Sequence, residues 1–403
     1  MSRQVPAPGT TGSQRRTVAA LGLVQILAWG SSYYLLAVLA APIAADTGWP
    51  PQAVVGSLSL GLLVAGLAAP RVGLLIGAHG GRPVLMGGCA LLALGLLLLG
   101  LAPNLPVFAL GWAVMGAGMA ASLYDAAFAT LGRLHGAAAR RAITALTLWG
   151  GFASTVCWPL SAALVAHLGW RGTCLAYAGL QLAACLPLVA IALPRTGAGA
   201  GNRAPLPAAA PEPAPARPGA PAVTLLAGIV AVAGTVAAVI SVEALALLQA
   251  RGFSPAEAVA AGALIGPAQV LARVVEQLSG GRHHPLWTMT WALALVGAGL
   301  ALLATGAATM ALALAAYGAG NGLFSIAKGA VPLALFGPRR YPALMGRLAR
   351  PGFIAQAVAP LSAAALLGAL GADAVLATLA GLAALNLLLL LALWRLPDGS
   401  PAA

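Results

Sequence analysis

Five ionisable side chains stand inside long apolar stretches of this sequence: Asp125, Glu243, Arg273, Glu276 and Lys328. Charges at bilayer depth are costly, so they persist where they pair with each other or face a polar cavity. Arg273 offers a permanently charged planar fork that matches a carboxylate. It could hold an organic anion, pair with Asp125 or Glu276, or reach back to the membrane surface. Asp125 could carry a proton, since desolvation raises a carboxyl pKa, or it could pair with Lys328. Glu243 suits proton coupling or a gate hydrogen bond. Glu276, near one end of its stretch, suits a gate or loop ion pair.

A second group is neutral. Gln25 to Tyr34 carries Trp29, Ser31, Ser32, Tyr33 and Tyr34 within one apolar stretch. Such a cluster gives a ligand hydrogen bonds and a flat wall, with Trp29 and Tyr33 as the contacts. The alternative is helix packing through Gly30-Ser31-Ser32, because small residues let helices approach. Tyr124 precedes Asp125 and is a further ligand candidate. Asn321, Gln356, Trp149 and Trp158 are others, with packing as their alternative. Cys89, Cys157, Cys174 and Cys185 form no CxxC pair, so neither disulfide nor metal site is expected. No phosphate-binding loop follows a strand, and no nucleophile–base arrangement is present. An enzyme and a bound cofactor are therefore not expected.

The elements that position these residues are membrane helices. The 403 residues are 61% hydrophobic and 7% charged, far below the roughly 25% charge of soluble domains. Apolar stretches cover 17–41, 54–76, 83–102, 105–132, 142–165, 171–193, 223–249, 255–278, 286–305, 308–336, 343–369 and 373–395. Each is long enough for one helical crossing, which needs about 20 residues, and helices satisfy their own backbone in lipid. Twelve crossings put both termini on one side. Arg3, Arg15, Arg16, Arg82, Arg133, Arg140, Arg141, Arg195, Arg203, Arg217, Arg282, Arg339, Arg340, Arg347, Arg350 and Arg395 fall at or near that side. The opposite loops hold Arg171, Arg251, Asp46, Glu257 and Asp373. By the positive-inside rule both termini are cytoplasmic. The net charge of +13 is thus topological, and no soluble domain is long enough to hold nucleic acid. The near-total use of Arg over Lys points to a GC-rich genome and a bacterial inner membrane.

Residues 194–222, rich in Pro, Ala and Gly, read as a cytoplasmic linker. They separate a first six-helix half, 17–193, from a second, 223–395. Short tails, 1–16 and 396–403, complete the chain. The halves repeat. Gly151-Phe152 and Pro159-Leu160-Ser161 recur as Gly352-Phe353 and Pro360-Leu361-Ser362. Gly116-Ala117-Gly118 recurs as Gly318-Ala319-Gly320, and Arg71-Val72 with Gly80-Gly81-Arg82 as Arg273-Val274 with Gly280-Gly281-Arg282.

This layout resembles the major facilitator superfamily. The loop Gly73 to Leu85 is similar to the superfamily signature through Gly73, Gly80, Arg82, Val84 and Leu85. Gly77 stands where the signature has an acid that helps lock the cytoplasmic gate. Asp46-Thr47-Gly48-Trp49, the segment Gly266 to Arg273, and Tyr317 to Ser325 with Gly337-Pro338 resemble the monocarboxylate-porter and oxalate/formate-antiporter branch. That resemblance implies an all-α fold of two six-helix bundles and transport of a small organic anion. Arg273 and Gln269 would then face substrate, and Arg82 would serve the gate. Ala37 and Gln269 replace the lysine and acid that couple protons in that branch, which leaves Asp125 or Glu243 to couple a co-transported proton. An exporter of drug-like or metalloid compounds is the alternative. A monomer is expected.

Overall fold

The protein is described by a computed structural model that covers residues 12–195, 219–280, 282–305 and 310–396. Most of the predicted 194–222 linker and of both tails lies outside the described residues, as do Arg3, Arg203 and Arg217. Every described element is helical, with no strand among them. Seven helical runs are long and apolar enough to cross a membrane. Two of these, Leu105–Ala192 and Met310–Trp394, greatly exceed the roughly 20 residues of one crossing. They reverse internally at Gly169, Gly337 and Gly371, whose φ values are 69°, 71° and 81°. A left-handed turn is strained for any residue with a Cβ. All three glycines fall where the sequence predicts a loop.

The first part of the chain forms α1 (Gly12–Gly30), α2 (Leu36–Thr47), α3 (Pro51–His79), α4 (Gly81–Gly100) and α5 (Leu105–Ser122). It continues through α6 (Tyr124–His135), α7 (Ala139–Gly151), α8 (Ala153–Leu180) and α9 (Leu186–Ala192). The second part forms α10 (Ala220–Ala250), α11 (Pro255–Gly262), α12 (Ile265–Leu278), α13 (Pro285–Thr305) and α14 (Met310–Trp394). Local chemistry sets several ends. Asn104 caps α5 through the Val107 amide at 3.1 Å. Ser254 and Glu257 form a reciprocal capping box on α11. Pro51 opens α3, where its missing N–H would have had no helical partner.

Apolar packing follows the same division. Two core clusters draw on residues 18–193 with a few from α14, and two others lie wholly within 222–393. The parts meet along α3 and α14, where glycine lets backbones touch. A Cβ on Gly73 would lie 2.5 Å from Pro342 O, and one on Gly346 would lie 2.3 Å from Ala69 O. Gly132 fits against the Tyr341 ring, and Gly329 against Phe128 and Ile143.

Candidate functional site

The predicted first span is not one helix. It breaks between α1 and α2 at Ser31–Leu35, at the polar aromatic cluster. The predicted fourth span breaks too, at Leu123, whose backbone is extended (φ −76°, ψ −173°). Two serines prepare these breaks by bonding back to their own helices, Ser32 Oγ to Ala28 O at 2.5 Å and Ser122 Oγ to Gly118 O at 2.7 Å. The carbonyl freed at Ser122 accepts Gln25 Nε2 at 2.7 Å. The break places Tyr124 at the start of a new helix, facing α1. Hydropathy counting cannot see such interruptions, because the long stretches around them keep an apolar mean.

Five aromatic rings gather here. Trp29 lies 5.4 Å from Tyr33, 5.9 Å from Tyr34 and 5.3 Å from Tyr124, and Tyr34 lies 6.2 Å from Trp158. The buried Trp29 Nε1 has no hydrogen-bond partner. Tyr33 reaches across to the Ser241 hydroxyl of α10. Tyr124 Oη donates to Thr147 O of α7 at 3.3 Å.

Arg273 meets this cluster through the same carbonyl. The residue is 5% exposed. Its Nη1 donates to Thr147 O at 3.0 Å, its Nε to Gly322 O at 3.3 Å and its Nη2 to Gln269 Oε1 at 3.5 Å. Each acceptor is neutral. The charge therefore stays uncompensated by these contacts, and it acts on the Tyr34 and Tyr124 hydroxyls. Thr147 lies near the C-terminal end of α7, where the helix dipole favours a cation. Glycine makes room for the guanidinium: a Cβ on Gly151 would lie 2.4 Å from Nη1. Gly318 and Gly322 let α14 press against the backbone of Ile265 and Gln269 in α12.

Arg273, Gln269, Trp29, Tyr33 and Tyr124 are thus brought together. Asn321 is placed elsewhere, beside a small pocket within the second part that includes Tyr317, Phe324 and Asn386. Arg273 is paired with neither Asp125 nor Glu276. Lys328 Nζ takes Asp125 instead, at 2.8 and 2.9 Å from its two oxygens. Glu276 accepts Thr288 Oγ1 at 2.9 Å and lies 3.5 Å from Arg140 Nη2 and 3.3 Å from His283 Nε2. Arg140 also donates to His283 O at 2.6 Å. Glu243 is half-buried in α10, two residues past Ser241. Sequence reasoning missed Thr147, Ser241 and His283; the Arg140-Arg141 pair was visible only as topological charge.

The described residues contain no group of three or more His, Cys, Asp or Glu suited to a metal. The sequence model of the Major Facilitator Superfamily matches residues 21–287. The chain is a member of that superfamily. It is therefore a multi-pass membrane transporter and not an enzyme. Solved structures agree on the fold. The human organic anion transporter MFSD10 (TETRAN) superposes with a TM-score of 0.71 at 18% identity, covering 96% of this chain and 100% of that one. The superfamily transporter FucP in its outward conformation gives 0.71 at 13% identity, covering 94% and 98%. A second structure of the E. coli fucose:proton symporter FucP gives 0.70 at the same identity and coverage. No curated protein matches by sequence.

In this superfamily member the signature loop closes without its usual acid. Gly77 has no side chain to offer, and its carbonyl accepts Arg133 Nη1. Arg82 is half-buried, with its Nε unpartnered. Direct backbone contact of α3 with α14, at Gly73 and Gly346, stands where a side-chain lock would be.

Proposed function

We propose that the protein is a secondary active transporter that moves a small, monocarboxylate-like organic anion by alternating access. The observation that carries this reading is Arg273: a buried guanidinium beside an aromatic wall, bonded to neutral oxygens and bridging both parts of the chain. A carboxylate would answer its charge and could compete with the Thr147 carbonyl for its fork. Trp29 Nε1 supplies an unused donor within the same cluster. The structural neighbours do not choose the cargo, since the substrates they are named for, organic anions and fucose, differ from each other.

The proposed frame is twelve helices in two six-helix bundles, 17–193 and 223–395, joined by the 194–222 linker. Chain reversals at glycines of positive φ, Gly48, Gly80, Gly136 and Gly169 in the first part and Gly252, Gly280, Gly337 and Gly371 in the second, support it. So does a repeated tie at one end. Arg171 lies 4.0 Å from Asp46 and donates to the carbonyls of Gly100 and Ala102; Arg251 lies 3.5 Å from Asp373 and donates to those of Leu303 and Ala304. The arginine asymmetry supports cytoplasmic termini, the near-total use of Arg over Lys supports a bacterial inner membrane, and the protein is proposed to act there as a monomer. Asp125–Lys328 and Arg140–Glu276 each span the two parts, so both break when the cytoplasmic end opens. Asp125 is the proposed proton carrier, with Glu243 as the second candidate.

Counterflow in proteoliposomes tests the reading. Labelled carboxylates should exchange against unlabelled carboxylates, and cationic dyes should not. The five-ring aromatic cluster favours a second reading, export of drug-like amphiphiles. Dye exchange without carboxylate exchange would establish it and end the first.

A further inference from the structure

A cavity of about 630 Å³ opens at the arginine-bearing end, lined by α1, α7 and α12 and by none of the five clustered aromatic residues. Its volume falls within the roughly 300–1,000 Å³ of small-molecule sites. The polar wall carries Gln14, Arg15, Arg140, Arg141, Glu276 and Gln277. Three guanidiniums therefore face one carboxylate. That carboxylate is already engaged by Thr288, His283 and Arg140. Among the described lining residues arginines outnumber carboxylates three to one, and Arg141 is exposed at the cavity. Deeper in, Val18 and Trp149 give an apolar wall. Charge at the mouth over apolar surface within is the pattern of an amphiphile site.

We propose that this cavity binds a phosphate monoanion or diester, and that the occupant is the headgroup of an anionic phospholipid. Arginine forks match phosphate oxygens two at a time, and an acyl chain can lie along Val18 and Trp149 toward the bilayer. The same chemistry would admit free phosphate, which the experiment separates. The site is built from both parts of the chain: α1 and α7 belong to the first and α12 to the second. An occupant therefore adds to the contacts that hold this end closed, alongside Arg140 to His283 O and Arg140 to Glu276. The inference does not depend on the identity of the transported substrate.

The test uses the purified full chain in a neutral detergent, with the thermal unfolding midpoint as readout. Phosphatidylglycerol, phosphatidylcholine and inorganic phosphate are titrated separately. Phosphatidylglycerol should raise the midpoint saturably, and phosphatidylcholine should not. Arg141→Gln and Ala19→Phe, the first removing charge and the second filling the cavity, should each raise the half-saturating phosphatidylglycerol concentration by about tenfold. Both lie outside the aromatic and Arg273 cluster, so counterflow serves as the check that the variants are folded. A response to inorganic phosphate alone, lost in the same variants, supports the site and assigns it to free phosphate. Equal responses to both lipids, or a phosphatidylglycerol response unchanged in both variants, overturn the proposal. The wild-type lipid comparison decides it even if a variant fails to fold.

Discussion

Replacing Gly346 by Ala tests whether the contact of α3 with α14 is what holds one end of the transporter closed. A Cβ at Gly346 would sit 2.3 Å from Ala69 O and 3.1 Å from Gly73 N and Cα. Real Cβ contacts are essentially never under 3.0 Å, so the helices must part by roughly 0.7 Å. The neighbours cannot yield as a side chain would, because both are backbone. Overpacking of this kind costs about 1–3 kcal/mol. Only the closed arrangement bears that cost. The better helix preference of Ala, about 0.5–1 kcal/mol, acts in every state and cancels. A differential of about 1–3 kcal/mol moves the equilibrium toward opening by about 5–150-fold. Ala349→Cys reports it. Ala349 is buried in a cluster made mainly of first-part residues, and all four native cysteines are buried as well. Maleimide labelling of Ala349→Cys should accelerate by that factor in the Gly346→Ala background. Gly368→Ala is the control, since nothing lies within 4 Å of a Cβ there. Labelling that is equal in the two backgrounds refutes the reasoning.

Other consequences follow from single residues. Arg273→Lys should lower counterflow at least about tenfold while the protein still inserts, because an ammonium cannot span the Thr147 and Gly322 carbonyls as a fork does; wild-type counterflow would make Arg273 a bystander. Asp125→Asn should preserve counterflow and abolish uphill uptake driven by a proton gradient, with Glu243→Gln as the parallel measurement; accumulation by both variants removes these carboxylates from coupling. Burial and the neighbouring Arg140 charge hold the His284 imidazole below its ordinary value of 6.5, so the fold favours the neutral form. Stability is then full above that pH and falls as pH drops below it, and His284→Gln should flatten the acid side of the midpoint-versus-pH curve; an unchanged slope contradicts this. Arg171→Asp should lower the unfolding midpoint, because it strands the Gly100 and Ala102 carbonyls, and adding Asp46→Arg should restore most of the loss; no recovery in the double variant removes the tie as the cause.

Much of the architecture was legible because lipid imposes a coarse rule, about 20 apolar residues per crossing. Gly169, Gly337 and Gly371 turn the chain where hydropathy falls. The site was legible only in part. Arg273, Trp29, Tyr33 and Tyr124 stood out because polar and aromatic groups are conspicuous in apolar stretches. Their actual partners did not, because Thr147 and Gly322 contribute backbone carbonyls, and every residue has one. The breaks at Ser31 and Leu123 were hidden for a related reason. A run of turns at Ser31–Leu35 or a single extended residue at Leu123 leaves the mean hydropathy of a long stretch little changed. Asn321 shows the same coarseness: its stretch could be named as facing a ligand, but its neighbours in the pocket with Tyr317, Phe324 and Asn386 could not.

The repeat shows how chemistry can persist where residue identity does not. In the first part the acid stands in the last turn of α2 and the arginine opens the second segment of α8: Asp46 and Arg171. In the second part the signs are exchanged, with Arg251 after α10 and Asp373 after the Gly371 turn. A comparison of aligned residues scores both positions as mismatches. The structure scores them as one device, since each pair brings opposite charges together and each arginine answers the exposed carbonyls of a neighbouring helix, α4 or α13. The ion pairs are solvent-exposed, with Asp46 58% and Asp373 87% accessible. Exposed pairs contribute only about 0–1 kcal/mol. The carbonyl bonds are therefore the stronger constraint. They fix that an arginine must stand at one of the two positions, while leaving free which one. That freedom permits the exchange of signs, and under the proposed two-bundle frame it lets the two ties correspond in geometry where their residues do not.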